Sequence, residues 1–218
     1  MAYSDQYRAL TGEISRLRND LLPRYFRQNA NYDREYITRT IAYHILVHAE
    51  IESYLEERAW ETALKAVQKW KNTNKANRIV LALVAFSGRM MDKPPDSILP
   101  EQPSQADSWD EKISLSKKVR LSVRDFYYTV NNNHGIKETN LIHLLLPIGV
   151  NVDELDTVLV ADLNSYGVSR GEFAHKTSQA YSTTMQVDPR EELEKARKII
   201  KNIASIDTIF NNLLAELK

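Results

Sequence analysis

Two places in this 218-residue chain set a histidine five positions after an arginine: Arg39 with His44, and Arg170 with His175. Such a pair has the parts for cleaving RNA without a metal. A neutral imidazole, with an ordinary pKa of about 6.5, can take the proton of a ribose 2′-hydroxyl near neutral pH. A guanidinium fork can hold the phosphate and stabilise the charge growing on its oxygens. DNA lacks the 2′-hydroxyl and offers no such internal nucleophile. Spacing alone selects neither copy, because about one chance match is expected at this composition.

Context separates them. Arg39 and His44 fall within a long regular helical pattern, on a face that is otherwise apolar, where packing accounts for them. Arg170 lies in Ser169-Arg170-Gly171-Glu172, which has the form of a capping box, with Ser169 as N-cap and Glu172 three residues on. A new helix is expected to open there. Its free backbone N–H groups and dipole would favour an anion beside Arg170. The small Ala174 leaves space next to His175. Gly171 would let the backbone approach a phosphate closely.

Other chemistry has less support. His44 and His48 lie four apart with Glu50 and Glu52 close by, a spacing that could hold a metal. The simpler reading is two partly buried histidines beside solvated acids. The chain has no Cys, which excludes disulfides and cysteine zinc sites. Phosphate-loop, dinucleotide and HExxH patterns are absent, and no cofactor is expected. Three basic runs are read first as solvated helix faces: Lys69, Lys71, Lys75 and Arg78; Lys117, Lys118, Arg120 and Arg124; and Lys195, Arg197, Lys198 and Lys201. The second is followed by Phe126, Tyr127 and Tyr128, which could stack bases.

The elements that must carry these residues are helices. Hydrophobic residues make up 43% of the chain and charged residues 27%, enough for a sizeable core and against disorder. Only 6 Gly and 7 Pro interrupt it, which favours long helices over a many-turned β fold. The 29 basic and 29 acidic residues cancel, so bulk charge gives no support for nucleic-acid binding. No run approaches the roughly 18 apolar residues needed to span a bilayer, and a soluble cytoplasmic protein is expected.

The apolar spacing predicts a first helix from about Ser4 to Leu22, stopped by Pro23, then a loop at residues 28–32. A long helix from Asp33 to about Asn72 follows, without Pro or Gly. Next comes a more apolar helix carrying Ile79, Val80, Leu83, Val84, Phe86 and Met90, expected to be buried on most sides. A Pro-rich loop spans 92–108. Helices are predicted at about 110–132, closed near Gly135 in a left-handed cap, and at 138–146. Another is predicted at 153–165, capped by Gly167, then the one opening at Ser169. Residues 181–187 could be extended. Asp188-Pro189 opens a final helix to about Glu216. The pattern predicts one all-α domain over 1–218, an up-and-down helical bundle with long N-terminal helices and inserted short ones.

Arg170-Gly171-Glu172-Phe173-Ala174-His175, late in an all-helical chain, resembles the Arg-x4–6-His signature of HEPN domains. The run Asp162 to Ser169 is similar to the segment that precedes that motif. The stretch Tyr43 to Glu56 resembles the acidic second helix of the larger HEPN families of defence and toxin–antitoxin loci, including the RiboL-PSP-associated group. The likeness covers roughly residues 35 to 215, and its specific part is the six-residue motif. It implies a helical bundle that pairs as a homodimer, both motifs lining one cleft, and an endoribonuclease acting as a toxin or antiviral-defence effector. Arg170 and His175 would be catalytic, with Glu50 and Glu172 as supporting groups. Many active relatives carry a polar residue, often Asn, where this chain has Gly171. Some members are non-catalytic, so an interaction subunit or antitoxin-binding partner in a defence complex is the alternative.

Overall fold

A computed structural model describes residues 3–27, 32–89, 97, 99, 114–175 and 187–218, with the backbone alone for His175. Seven α-helices are found among them and no strand: α1 (Asp5–Leu21), α2 (Arg34–Thr73), α3 (Arg78–Ala85), α4 (Leu115–Asn131), α5 (Glu138–Leu145), α6 (Thr157–His175) and α7 (Pro189–Ala215). The fold is an all-α helical bundle. The Pro-rich loop at 92–108 lies outside the described residues apart from Ser97 and Leu99, and so do most of the segments at 28–32 and 181–187.

Local signals set most of the ends. Ser4 caps α1 by accepting from the Tyr7 N–H, and Asp33 caps α2 by accepting from Tyr36. Asn74 closes α2 in the left-handed region, at φ 54°. Asp188 caps α7 ahead of Pro189. With 40 residues, α2 is about 60 Å long and touches each of the other six helices. Its Ala59, Ala63 and Ala66 are fully buried, and such small side chains let neighbours approach closely.

Four expectations need correction. Helix α3 buries Ile79, Val80 and Leu83, but Leu81, Val84 and Phe86 are exposed, so it is a one-faced surface helix that ends before Phe86. Helix α4 starts at Leu115 because Ser114 caps it, and it closes at Asn132 with φ −100° in place of a glycine cap. Residues 152–154 form a 3-10 turn, and the following helix begins only at Thr157.

The fourth correction bears on function. The chain does not break at Gly167 and restart at Ser169; α6 runs unbroken to His175. Gly167 is not among the glycines with positive φ. A Cβ there would come within 3.0 Å of Lys137 Cγ, so this glycine permits a close approach of the 136–137 segment. The Ser169 hydroxyl donates back to the Ser165 carbonyl at 3.1 Å, as mid-helix serines do. Packing of α6 against both α2 and α7 outweighs the glycine's low helix propensity.

Candidate active site

Facing α6, helix α2 carries a polar stripe at four-residue intervals: His44, His48, Glu52 and Glu56. Residues four apart share one face of a helix. The stripe runs from fully buried to partly open, and the packing around each member decides what it can do.

His44 is 1% exposed and fully engaged. Its Nδ1 faces Glu192 Oε2 at 2.7 Å, and its Nε2 faces the Tyr166 carbonyl at 3.1 Å. The ring stacks on Tyr166 at 3.8 Å and meets Phe173 edge-on. Burial works against the Glu192 carboxylate, yet hydrogen bonds from His44 and Lys195 hold it below its usual range. With both nitrogens occupied, His44 ties α2, α6 and α7 together and offers no joint metal face with His48. Among the described residues, no group of three or more His, Asp or Glu is placed to hold a metal ion. Arg39 differs from the expectation of an apolar face: it is exposed and pairs with Glu35 at 2.6 Å.

His48 lies one turn on, 2% exposed, and its Nδ1 has no hydrogen-bond partner. The nearest carboxylate oxygen, Glu52 Oε2, is 3.5 Å away. Burial pushes the imidazole down to about 4, and the charges of Arg170, His44 and Lys137 push the same way. It is therefore neutral at pH 7. The acids beyond it shift oppositely. Burial raises Glu52 together with the charge of Glu56, while Arg170, His134 and the Gly135 N–H pull it back. Burial also raises Glu56, which accepts from Asn133 Nδ2 at 2.8 Å.

Arg170 comes from α6 onto this stripe. Its charge acts on both His48 and Glu52, and its Nε is buried without a partner. No carboxylate lies within ion-pair distance of it among the described residues. A guanidinium partly in the protein, next to a neutral imidazole and without a carboxylate partner of its own among the described residues, can take up an oxyanion.

Arg170 lies at the C-terminal end of a long helix, so the free N–H groups expected beside it are absent and the anion site rests on its side chain alone. His175 is the last residue of α6, and its side chain lies outside the described residues. Gly171 has open space where a Cβ would stand, so no neighbour among the described residues demands a glycine there. Glu172 is exposed, in the interior of α6. Glu50 points elsewhere: it lines the groove between α1 and α2 with Glu13 and Glu57. Sequence reasoning thus chose Glu50 where the structure brings Glu52 into the field of Arg170. The four-residue repeat from His44 was the signal that separates them.

In comparisons with known proteins, no family model, no curated protein and no solved structure matches this chain.

Proposed function

We propose that this chain is a metal-independent endoribonuclease of the HEPN type, a toxin or antiviral-defence effector of the cytoplasm. The observation that carries the reading is the position of Arg170, whose partnerless buried Nε sits with neutral His48 and with Glu52, whose carboxyl burial raises above its usual range. In this scheme the Arg170 guanidinium binds the scissile phosphate. His175 takes the proton of the 2′-hydroxyl, whose oxygen attacks phosphorus. The 5′-oxygen leaves with that proton, giving a 2′,3′-cyclic phosphate and a 5′-hydroxyl. His48 stays uncharged and so adds no charge repulsion beside Arg170. Pairing of two copies would bring both motifs to one cleft.

The test is cleavage of a mixed RNA pool by wild type, Arg170→Ala and His175→Ala, with and without a chelator. Wild type should yield cyclic phosphate ends with the chelator present, and His175→Ala should lose about 10²–10⁴-fold in rate. Variants that cut as well as wild type would remove both residues from the mechanism.

A second reading is favoured by a different feature. Leu81 and Val84 of α3 and Phe86 just beyond it are exposed, and α3 packs against α4, whose Tyr127 and Tyr128 are also exposed. Such an apolar face suits a protein partner, as in a non-catalytic HEPN-type subunit or an antitoxin-binding protein. That reading requires wild type to leave RNA intact while forming a stable complex that Phe86→Glu disrupts.

A further inference from the structure

On the side of α1 away from its acidic groove, α1 and α7 enclose a second groove of about 560 Å³, with Tyr43 of α2 on its floor. Its size falls in the range of small-molecule sites, roughly 300–1,000 Å³. It stands apart from Arg170 and His175 and does not depend on the ribonuclease reading.

The charge of this groove has one sign. Arg18 enters from α1, Arg197 and Lys201 from α7, and among the described residues no carboxylate lines it. Two other cations of α7 are neutralised: Lys195 pairs with Glu192 and Lys198 with Asp162. Arg197 and Lys201, four residues apart on one face, have neither an ion pair nor a hydrogen bond among the described residues. Arg18 makes only long hydrogen bonds, 3.4 Å each, to Asn19 and the Pro23 carbonyl. The opposite groove, lined by Glu13, Glu50 and Glu57, balances this charge, which the zero net charge conceals.

Tyr43 supplies the second, independent observation. Its side chain is fully buried and its hydroxyl has no hydrogen-bond partner. The hydroxyl lies in the field of Arg197 and Arg18, with Glu192 acting in the opposite sense. Buried hydroxyls are nearly always satisfied, so an orphan at the floor of a cationic groove marks a missing acceptor. Ile14, Leu193 and Ile200 provide an apolar wall beside it.

We infer that this groove binds a small phosphorylated molecule. Arg18, Arg197 and Lys201 hold its phosphate, the Tyr43 hydroxyl donates to it, and its body rests on Ile14, Leu193 and Ile200. Three converging cations, two of them guanidinium forks, suit a phosphomonoester dianion better than a carboxylate. A terminal phosphate can reach the floor, whereas the phosphodiester backbone of a polymer would stay at the rim.

The test is calorimetry at constant ionic strength with adenosine 5′-monophosphate, inorganic phosphate and adenosine as probes. Wild type should bind the monophosphate saturably and more tightly than phosphate, and should not bind adenosine. Arg197→Gln should weaken binding by about tenfold or more, the loss of one charged hydrogen bond. Tyr43→Phe should weaken it severalfold without lowering the melting temperature of the free protein, which loses no hydrogen bond. Lys71→Gln, on an exposed turn of α2, should bind as wild type does. Equal affinity for the two phosphates would identify free phosphate as the ligand and overturn the small-molecule assignment. Unchanged binding in Arg197→Gln and Tyr43→Phe, or no saturable binding at all, would sink the site itself. Loss of RNA cleavage in Arg197→Gln with nucleotide binding intact would make the groove an RNA track and also overturn the inference.

Discussion

At His48 burial decides the proton. The folded chain holds this imidazole down to about 4, against the ordinary 6.5. Between those values the unfolded chain binds a proton that the folded chain refuses, so folded stability falls as pH drops through the window. Burial-raised Glu52 and Glu56 act in the opposite sense, taking up protons earlier when folded. A difference experiment isolates the histidine. His48→Gln should show a shallower loss of denaturant midpoint between pH 7 and 4.5 than wild type. Equal slopes would mean that His48 is not held neutral by the fold. At the same scale, Arg170→Lys keeps the charge but loses the fork, so it should not restore the RNA cleavage lost in Arg170→Ala.

Helix α6 gives the element-scale tests. An N-cap serine is worth about 1 kcal/mol, whereas a mid-helix serine replaced by alanine changes stability by no more than about 0.5 kcal/mol. Ser169→Ala should therefore be near neutral in chemical denaturation, and a cost near that of a cap would restore the helix break. Gly171 is helical with open space around its Cβ position, so Gly171→Ala should stabilise the protein by about 0.5–1 kcal/mol. Gly167→Ala should gain less or lose, because its Cβ meets Lys137 Cγ at 3.0 Å. Gly171→Asn, which the open space also accommodates, tests whether a polar residue after Arg170 raises cleavage.

Across the whole molecule, Asp207 fastens the two ends of the described chain together. Fully buried on α7, it accepts from the backbone N–H and hydroxyl of Ser4 and from the Tyr54 hydroxyl, with Arg58 at 3.6 Å. Burial alone would raise its carboxyl, but the Ser4 and Tyr54 hydrogen bonds and the Arg58 charge outweigh that and hold it low. Its contribution is present above the ordinary carboxyl range and is lost as pH falls through the folded value. Asp207→Ala takes the acceptor from the buried Tyr54 hydroxyl and from Ser4, while Arg58 keeps Glu61 at 2.9 Å; the unsatisfied buried donor typically costs about 1–3 kcal/mol, read as a lowered denaturant midpoint. Ser4→Ala removes a cap and one of these bonds and should cost less.

The helices were legible in the residues because their signals are local. Ser4, Asp33 and Asp188 act on N–H groups two or three positions away, and apolar spacing reports which face must leave water. The length of α2 followed from a run without Pro or Gly. Arg170 was singled out by its motif, whereas the burial of its partnerless Nε beside His48 and Glu52 belongs to the fold. What distant chain segments do to one another was not legible. Gly167 looks like a cap until the 136–137 segment is brought against it, and Ser169 with Glu172 looks like a capping box until packing carries the helix through. Glu50 and Glu52 are nearly equivalent as letters, and only the rotation of α2 against α1 and α6 sends one to an acidic groove and the other to Arg170. The basic groove at Tyr43 joins residues from three separated helices, so no window of sequence contains it. Local propensity depends on neighbours along the chain, while burial, pKa and site composition depend on neighbours in space.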